Sequence, residues 1–130
     1  MSGEAKYIQP GHRALTPILQ GGPELLGFVR TVFDARVTQG GTPDAAGNLH
    51  AEVKIGDSKL LIGRGYWTDA SRKSAIWIYV PDVDATYKRA LAAGATSVRA
   101  SADQSWGDRI AGIKDPSGNT WWIATHKTKA

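Results

Sequence analysis

Between positions 76 and 80 the aliphatic residues Ile76, Ile78 and Val80 alternate with Trp77 and Tyr79, a period of two that predicts a strand with two unlike faces. Pro81 ends that run. Asp82 stands where a helix N-cap belongs, Val83, Tyr87, Ala90 and Leu91 follow at helical spacing, and Gly94 is the stop. The first half of the chain carries the same order. Residues 14–20 predict a strand, Gly21-Gly22 break it, and Pro23 opens a helix with Glu24 near the positive end of its dipole. Leu25, Phe28, Val29, Val32 and Phe33 then form one apolar helical face.

After each helix come an alanine and a short strand, 35–39 in one half and 95–100 in the other, each running into a polar loop (40–47 and 101–105). Each half closes on a hairpin. The first pairs 49–55 with 59–62 around Gly56-Asp57-Ser58, and the second pairs 109–114 with 120–125 around Asp115-Pro116-Ser117-Gly118-Asn119. Sliding the halves by 61 positions lays Ala14 on Ala75 and Leu61 on Trp122. The chain therefore predicts an α+β domain spanning 1–130, with one strand-helix-strand-strand-strand module over 12–63, a connector at 64–74 and a second module over 75–126. The helix of a module covers only one face of its sheet. The other face needs a second module, a second chain or a ligand, and function is to be sought there.

Composition narrows the chemistry. Among 130 residues there is no cysteine, which excludes disulfides, thiolate zinc sites and cysteine nucleophiles and fits a reducing cytoplasm. The N-terminal ten residues lack the basic and apolar regions of a signal peptide, and no run approaches the ~20 apolar residues of a membrane span. The net charge of +4 comes from scattered basic residues rather than a stripe with interleaved aromatics, so neither nucleic acid nor membrane is expected as a partner. Gly-x-Ser-x-Gly, His-Glu-x-x-His and phosphate-loop motifs are all absent.

Four segments, Val80-Pro81-Asp82-Val83-Asp84, Ala93-Gly94-Ala95, Trp106-Gly107-Asp108-Arg109 and Asp115-Pro116-Ser117-Gly118-Asn119-Thr120-Trp121, together resemble the vicinal-oxygen-chelate superfamily of glyoxalases, dioxygenases and bleomycin-resistance proteins. The closing Ile123-Ala124-Thr125-His126 resembles its PhnB-like, bleomycin-resistance-like branch. The resemblance implies two βαβββ modules whose mixed sheets curve into open cups, completed in a homodimer. In metal-using members the first and last strands of each module supply the ligands. Carried over, those positions fall on Ala14, Leu61, Ala75 and Trp122, with Leu15, Thr16 and Pro17 as neighbours if the first strand slips. Methyl groups, a leucine and an indole offer a divalent ion no donors, so no metal or other cofactor is expected.

The alternation points Ala75, Trp77 and Tyr79 of one strand, and Thr120, Trp122 and Ala124 of the last, into the second cup, and sends Trp121 to the core. The candidate ligand-binding residues are Trp77, Tyr79 and Trp122, with Trp106 and Trp67 at the rim and Gln104 on a loop that closes over the cup. Asp108 and Arg109 are open to two readings, ligand binding or, the more ordinary one, a strand-edge ion pair. His50 and Glu52 share a face of an exposed hairpin, and His12 and His126 lie at the surface. The expected function is metal-independent sequestration of a small aromatic or amphipathic compound, in the manner of antibiotic resistance, with no catalytic residue. The alternative is a metal-dependent lyase, isomerase or dioxygenase using His12, His50 and Glu52.

Overall fold

The computed structural model describes residues 7–65, 67–69 and 71–127. The first repeat runs β1 (Ile18–Gln20), α1 (Pro23–Phe33), β2 (Arg36–Gly40), β3 (Leu49–Ile55) and β4 (Ser58–Arg64). The second runs β5 (Ala75–Tyr79), α2 (Val83–Ala92), β6 (Thr96–Asp103), β7 (Asp108–Lys114) and β8 (Thr120–His126). Two four-stranded mixed sheets result, ordered β1-β4-β3-β2 and β5-β8-β7-β6. In each, the first strand is parallel to the last and the remaining neighbours are antiparallel. This is the α+β arrangement of two βαβββ units that the hydrophobic pattern predicts. Among the described residues no helix is long and apolar enough to cross a membrane.

The local chemistry explains the element ends. The Asp82 side chain accepts from the Ala85 amide at 3.1 Å, satisfying an N–H that the start of α2 leaves without an intrahelical partner. Asp115 organises the β7–β8 turn: its Oδ1 accepts from the amides of Ser117 and Asn119, and its Oδ2 from the Trp121 indole at 2.8 Å. That last bond satisfies the polar edge of a tryptophan that is otherwise core.

The two repeats share one core. Leu19, Leu25, Val29, Val32, Val53 and Ile62 of the first and Val83, Ala90, Ile113, Trp121 and Ile123 of the second belong to a single apolar cluster. Phe33 and Trp121 stack across the junction with ring centroids 4.6 Å apart. Polar ties reinforce it. The buried Asn119 amide donates to the Gln20 carbonyl at 3.0 Å, and the Arg89 guanidinium donates to the Val32 carbonyl.

Two elements differ from the sequence expectation. The strand predicted over 14–20 shortens to Ile18–Gln20, because the chain joins β4 only from the Pro17 carbonyl onward, which accepts from the Leu61 amide. Ile18 pairs with Leu61 as Trp77 pairs with Trp122. The residue matching Ala75, two before Trp77, is therefore Thr16, two before Ile18, and not Ala14. The second difference is β6, which continues to Asp103, into the stretch expected as a loop at 101–105. A tight turn brings it into β7: the Gln104 amide donates to the Asp108 carbonyl, and Gly107 takes a φ of 104°.

Candidate functional site

The open face of the second sheet follows from its register. Trp77 lies beside Trp122, Tyr79 beside Ala124, Gly112 opposite Trp122, Ile110 opposite Ala124, and Asp108 opposite His126. Their side chains share one face because cross-strand partners point the same way. Gly112 lets the Trp122 ring lie flat on the sheet, since an added Cβ there would stand 2.6 Å from its Cζ3. The Arg99 guanidinium sits 5.8 Å from that ring's centroid. Trp77 and Tyr79 meet edge to face with centroids 6.2 Å apart and are 45% and 61% exposed. Large aromatic surface left open to this degree is unusual for rings that a core has room to bury.

At one end of this face sits a buried carboxylate. Asp108 is 2% exposed and accepts three side-chain hydrogen bonds. The Tyr79 hydroxyl and the Trp106 indole each reach its Oδ2 at 3.0 Å, and His126 Nδ1 lies 2.6 Å from its Oδ1. The His126 bond foremost, then those from Trp106 and Tyr79, hold the carboxyl below the ordinary carboxylate range against the opposing cost of burial. The ion pair expected between Asp108 and Arg109 is replaced by another pairing. The two alternate across β7, so Arg109 points to the opposite face and bridges Asp84 and Asp103 at 3.2 Å.

A cavity of about 1360 Å³ runs along the outer edge of β5. Trp77 and Tyr79 border it, Phe33, Leu60, Ile76, Ile78 and Trp121 form its apolar floor, and the segment from Gly11 to Pro17 with Lys59 forms the facing wall. Behind that wall Glu52 is buried rather than exposed on its hairpin. Its Oε1 meets His12 Nε2 at 3.2 Å, and its Oε2 meets Lys59 at 3.2 Å and the Thr38 hydroxyl at 2.6 Å. The Thr38 bond leads in holding the Glu52 carboxyl below its usual range, burial opposes it, and Lys59 and His12 add to it. His12 is accordingly largely buried beside Glu52, whereas His126 lies at the surface, where it is bonded to Asp108.

Of the residues singled out in the sequence, Trp77, Tyr79 and Trp122 come together on one face, and Trp106 and Tyr79 converge on Asp108. Trp122 and Trp106 do not line the β5 cavity. Gln104 is held in its turn by a bond from its Nε2 to the Ala102 carbonyl. Trp67 stands apart, 78% exposed, beside Gly40, Thr42, Asp44, Asn48 and His50 of the first repeat. The Asp108–His126 pair escapes a motif search, yet the hairpin contains it: counting outward from the turn pairs Lys114 with Thr120 and, six steps on, Asp108 with His126. Glu52 with His12 carried no such signal, because an irregular segment brings them together.

The positions from which metal-using relatives draw their ligands hold Thr16, Leu61, Ala75 and Trp122. A methyl, an isobutyl group and an indole give a divalent ion nothing to bind, and one threonine hydroxyl is a poor ligand by itself. Among the described residues no three His, Cys, Asp or Glu side chains converge as a metal site requires. The donor set does not fit the metal chemistry of the fold.

Fold and sequence together define the class. Residues 23–123 match the model of the Glyoxalase/Bleomycin resistance protein/Dioxygenase superfamily, and the chain belongs to that superfamily. A relative from Mycobacterium bovis, named uncharacterized protein Mb0911c, is 34% identical over 122 residues, covering 83% of this chain and 80% of the relative. The crystal structure of TioX from Micromonospora sp. ML1 superposes with a TM-score of 0.66 at 26% identity, over 86% of this chain and 97% of that one. A glyoxalase/bleomycin resistance protein/dioxygenase family enzyme from Burkholderia phytofirmans PsJN gives 0.67 at 17% identity, over 86% and 95%. At that identity the likeness is one of fold.

Proposed function

We propose that this protein sequesters a small aromatic or amphipathic compound without the help of a metal, in the manner of a resistance protein. The observation that carries this reading is the pair Trp77 and Tyr79, whose open rings edge a cavity floored by Phe33, Trp121, Ile76 and Ile78. Rigid aromatic walls over an apolar floor bind planar compounds by desolvation and stacking, the latter worth about 0.5–1.5 kcal/mol per ring pair beyond burial. Sequestration asks for affinity alone, so a site whose ligand positions hold Thr16, Leu61, Ala75 and Trp122 suffices. We propose further that a second copy of the chain closes the open side of the cup, which predicts elution at the mass of a dimer in size-exclusion chromatography.

Titration calorimetry against a panel of planar polycyclic compounds tests the reading. At least one compound is expected to bind with a stoichiometry of one per chain, and Trp77→Ala is expected to weaken it about tenfold, the loss of a stacking partner and its buried area. If nothing in the panel binds, or if Trp77→Ala leaves the affinity unchanged, this site is not where the protein holds a guest.

A further inference from the structure

Polar groups border the aromatic face: the Arg99 guanidinium stands by the Trp122 ring, and the Asp108–His126 pair lies at one end. Ile110 and Ala124, which pair in the middle of it, are buried, whereas the rings of Trp77, Tyr79 and Trp106 are exposed. The polar group at the end of this platform is His126, which is half exposed and stands two side-chain steps beyond Trp122 on the same face of β8. Its Nδ1 is taken by Asp108, an ionised, acceptor-only carboxylate whose other oxygen is already filled by Tyr79 and Trp106. In the neutral ring, a short bond from ring nitrogen to carboxylate places the proton on Nδ1 and leaves Nε2 with a lone pair. His126 occupies the last paired position of β8, opposite Asp108. Tyr79 belongs at once to the platform and to the holder, which joins the two into one site.

We infer that the Asp108–His126 pair is the polar anchor of this platform and selects planar aromatic compounds bearing an acidic hydroxyl, whose O–H donates to His126 Nε2. This inference rests on the sequestration reading above and adds the substrate class to it. Aromatic stacking tolerates any planar guest, whereas one oriented acceptor discriminates between a phenol and its ether, because the ether oxygen has no proton to give. Asp108 touches no guest in this arrangement and acts as a positioning residue, holding the ring and its proton.

The test compares 2-naphthol with 2-methoxynaphthalene, two guests of nearly equal shape, by calorimetry on the full chain. The native protein is expected to prefer the naphthol about fivefold, the size of one net hydrogen bond. His126→Ala is expected to bring that preference to near one and to lower the unfolding midpoint, because the buried Asp108 carboxylate loses its foremost partner, while Trp77→Ala is expected to weaken both compounds alike. Two-bond proton–nitrogen NMR of the three histidines reads the tautomer in the free protein. The proton is expected on Nδ1 of His126 and is expected to lose that preference in Asp108→Asn. Equal binding of the two compounds by the native protein overturns the anchor and leaves sequestration standing. Binding of neither overturns both. A proton resident on Nε2 overturns the anchor whatever the affinities.

Discussion

Asp108 shows how a single residue changes meaning between sequence and structure. In the run Trp106-Gly107-Asp108-Arg109 it reads as half of an ion pair with its neighbour, yet β7 sends the two side chains to opposite faces and leaves Asp108 with Tyr79, Trp106 and His126. Its carboxyl titrates below the ordinary 3.8, so the group contributes stability above that value, and the contribution is lost as pH falls through the lowered one. The stability gap between the native protein and Asp108→Asn, measured by urea unfolding, is expected to hold near about pH 5 and to shrink as pH drops toward about 3. A gap that stays constant across that window would mean that the bonds to Asp108 do not favour its ionised form. Glu52 follows the same logic on the first sheet, where Thr38, Lys59 and His12 surround a carboxylate that an alternating pattern alone leaves on an exposed hairpin.

At the scale of elements, the second sheet works because one strand supplies a glycine where its neighbour supplies an indole. The alternation in β5 and β8 reads directly as two faces, and the structure keeps Trp121 and Ile123 in the core while Trp77 and Trp122 share the open side. What the pattern does not disclose is the flat seat of Trp122. Gly112 reads as a weak point in a strand, whereas here it makes room for a ring. Gly112→Ala is expected to lift Trp122 from the sheet, to cost about 1–3 kcal/mol in chemical denaturation and to shift tryptophan emission. Unchanged emission and stability together would show that the ring does not rest there. Strand β1 teaches a related lesson: three residues pair, the preceding seven wall the cavity, and the two-residue slip this introduces moves the match to Ala75 from Ala14 to Thr16.

For the whole molecule, the decisive fact is that the two repeats share a core. Phe33 of α1 stacks on Trp121 of β8, and Asn119 and Arg89 bond across the junction to backbone carbonyls of the first repeat. Tryptophan occurs only in the connector and the second repeat, whereas backbone circular dichroism reports on both. The two signals are expected to unfold together in urea, with a common midpoint, in the native protein. Phe33→Ala is expected to lower that shared midpoint, at a cost of about 3–5 kcal/mol, without separating the two transitions. Separate midpoints in the native protein would mean that each repeat folds on its own core.

The sequence by itself determined the periods: where two unlike faces alternate, where a helix is capped and stopped, and that this order occurs twice. Those are local properties, set by backbone sterics and by which side chains prefer water, and they suffice to specify two βαβββ units and the aromatic character of one open face. Tertiary structure decided what the open faces hold. The burial of Glu52 by His12, the meeting of Tyr79, Trp106 and His126 at Asp108, and the position of Trp67 against the first repeat all depend on loop paths and on register between strands. Side-chain chemistry at such places is fixed by neighbours tens of residues away, and hydrophobic period carries no information about them.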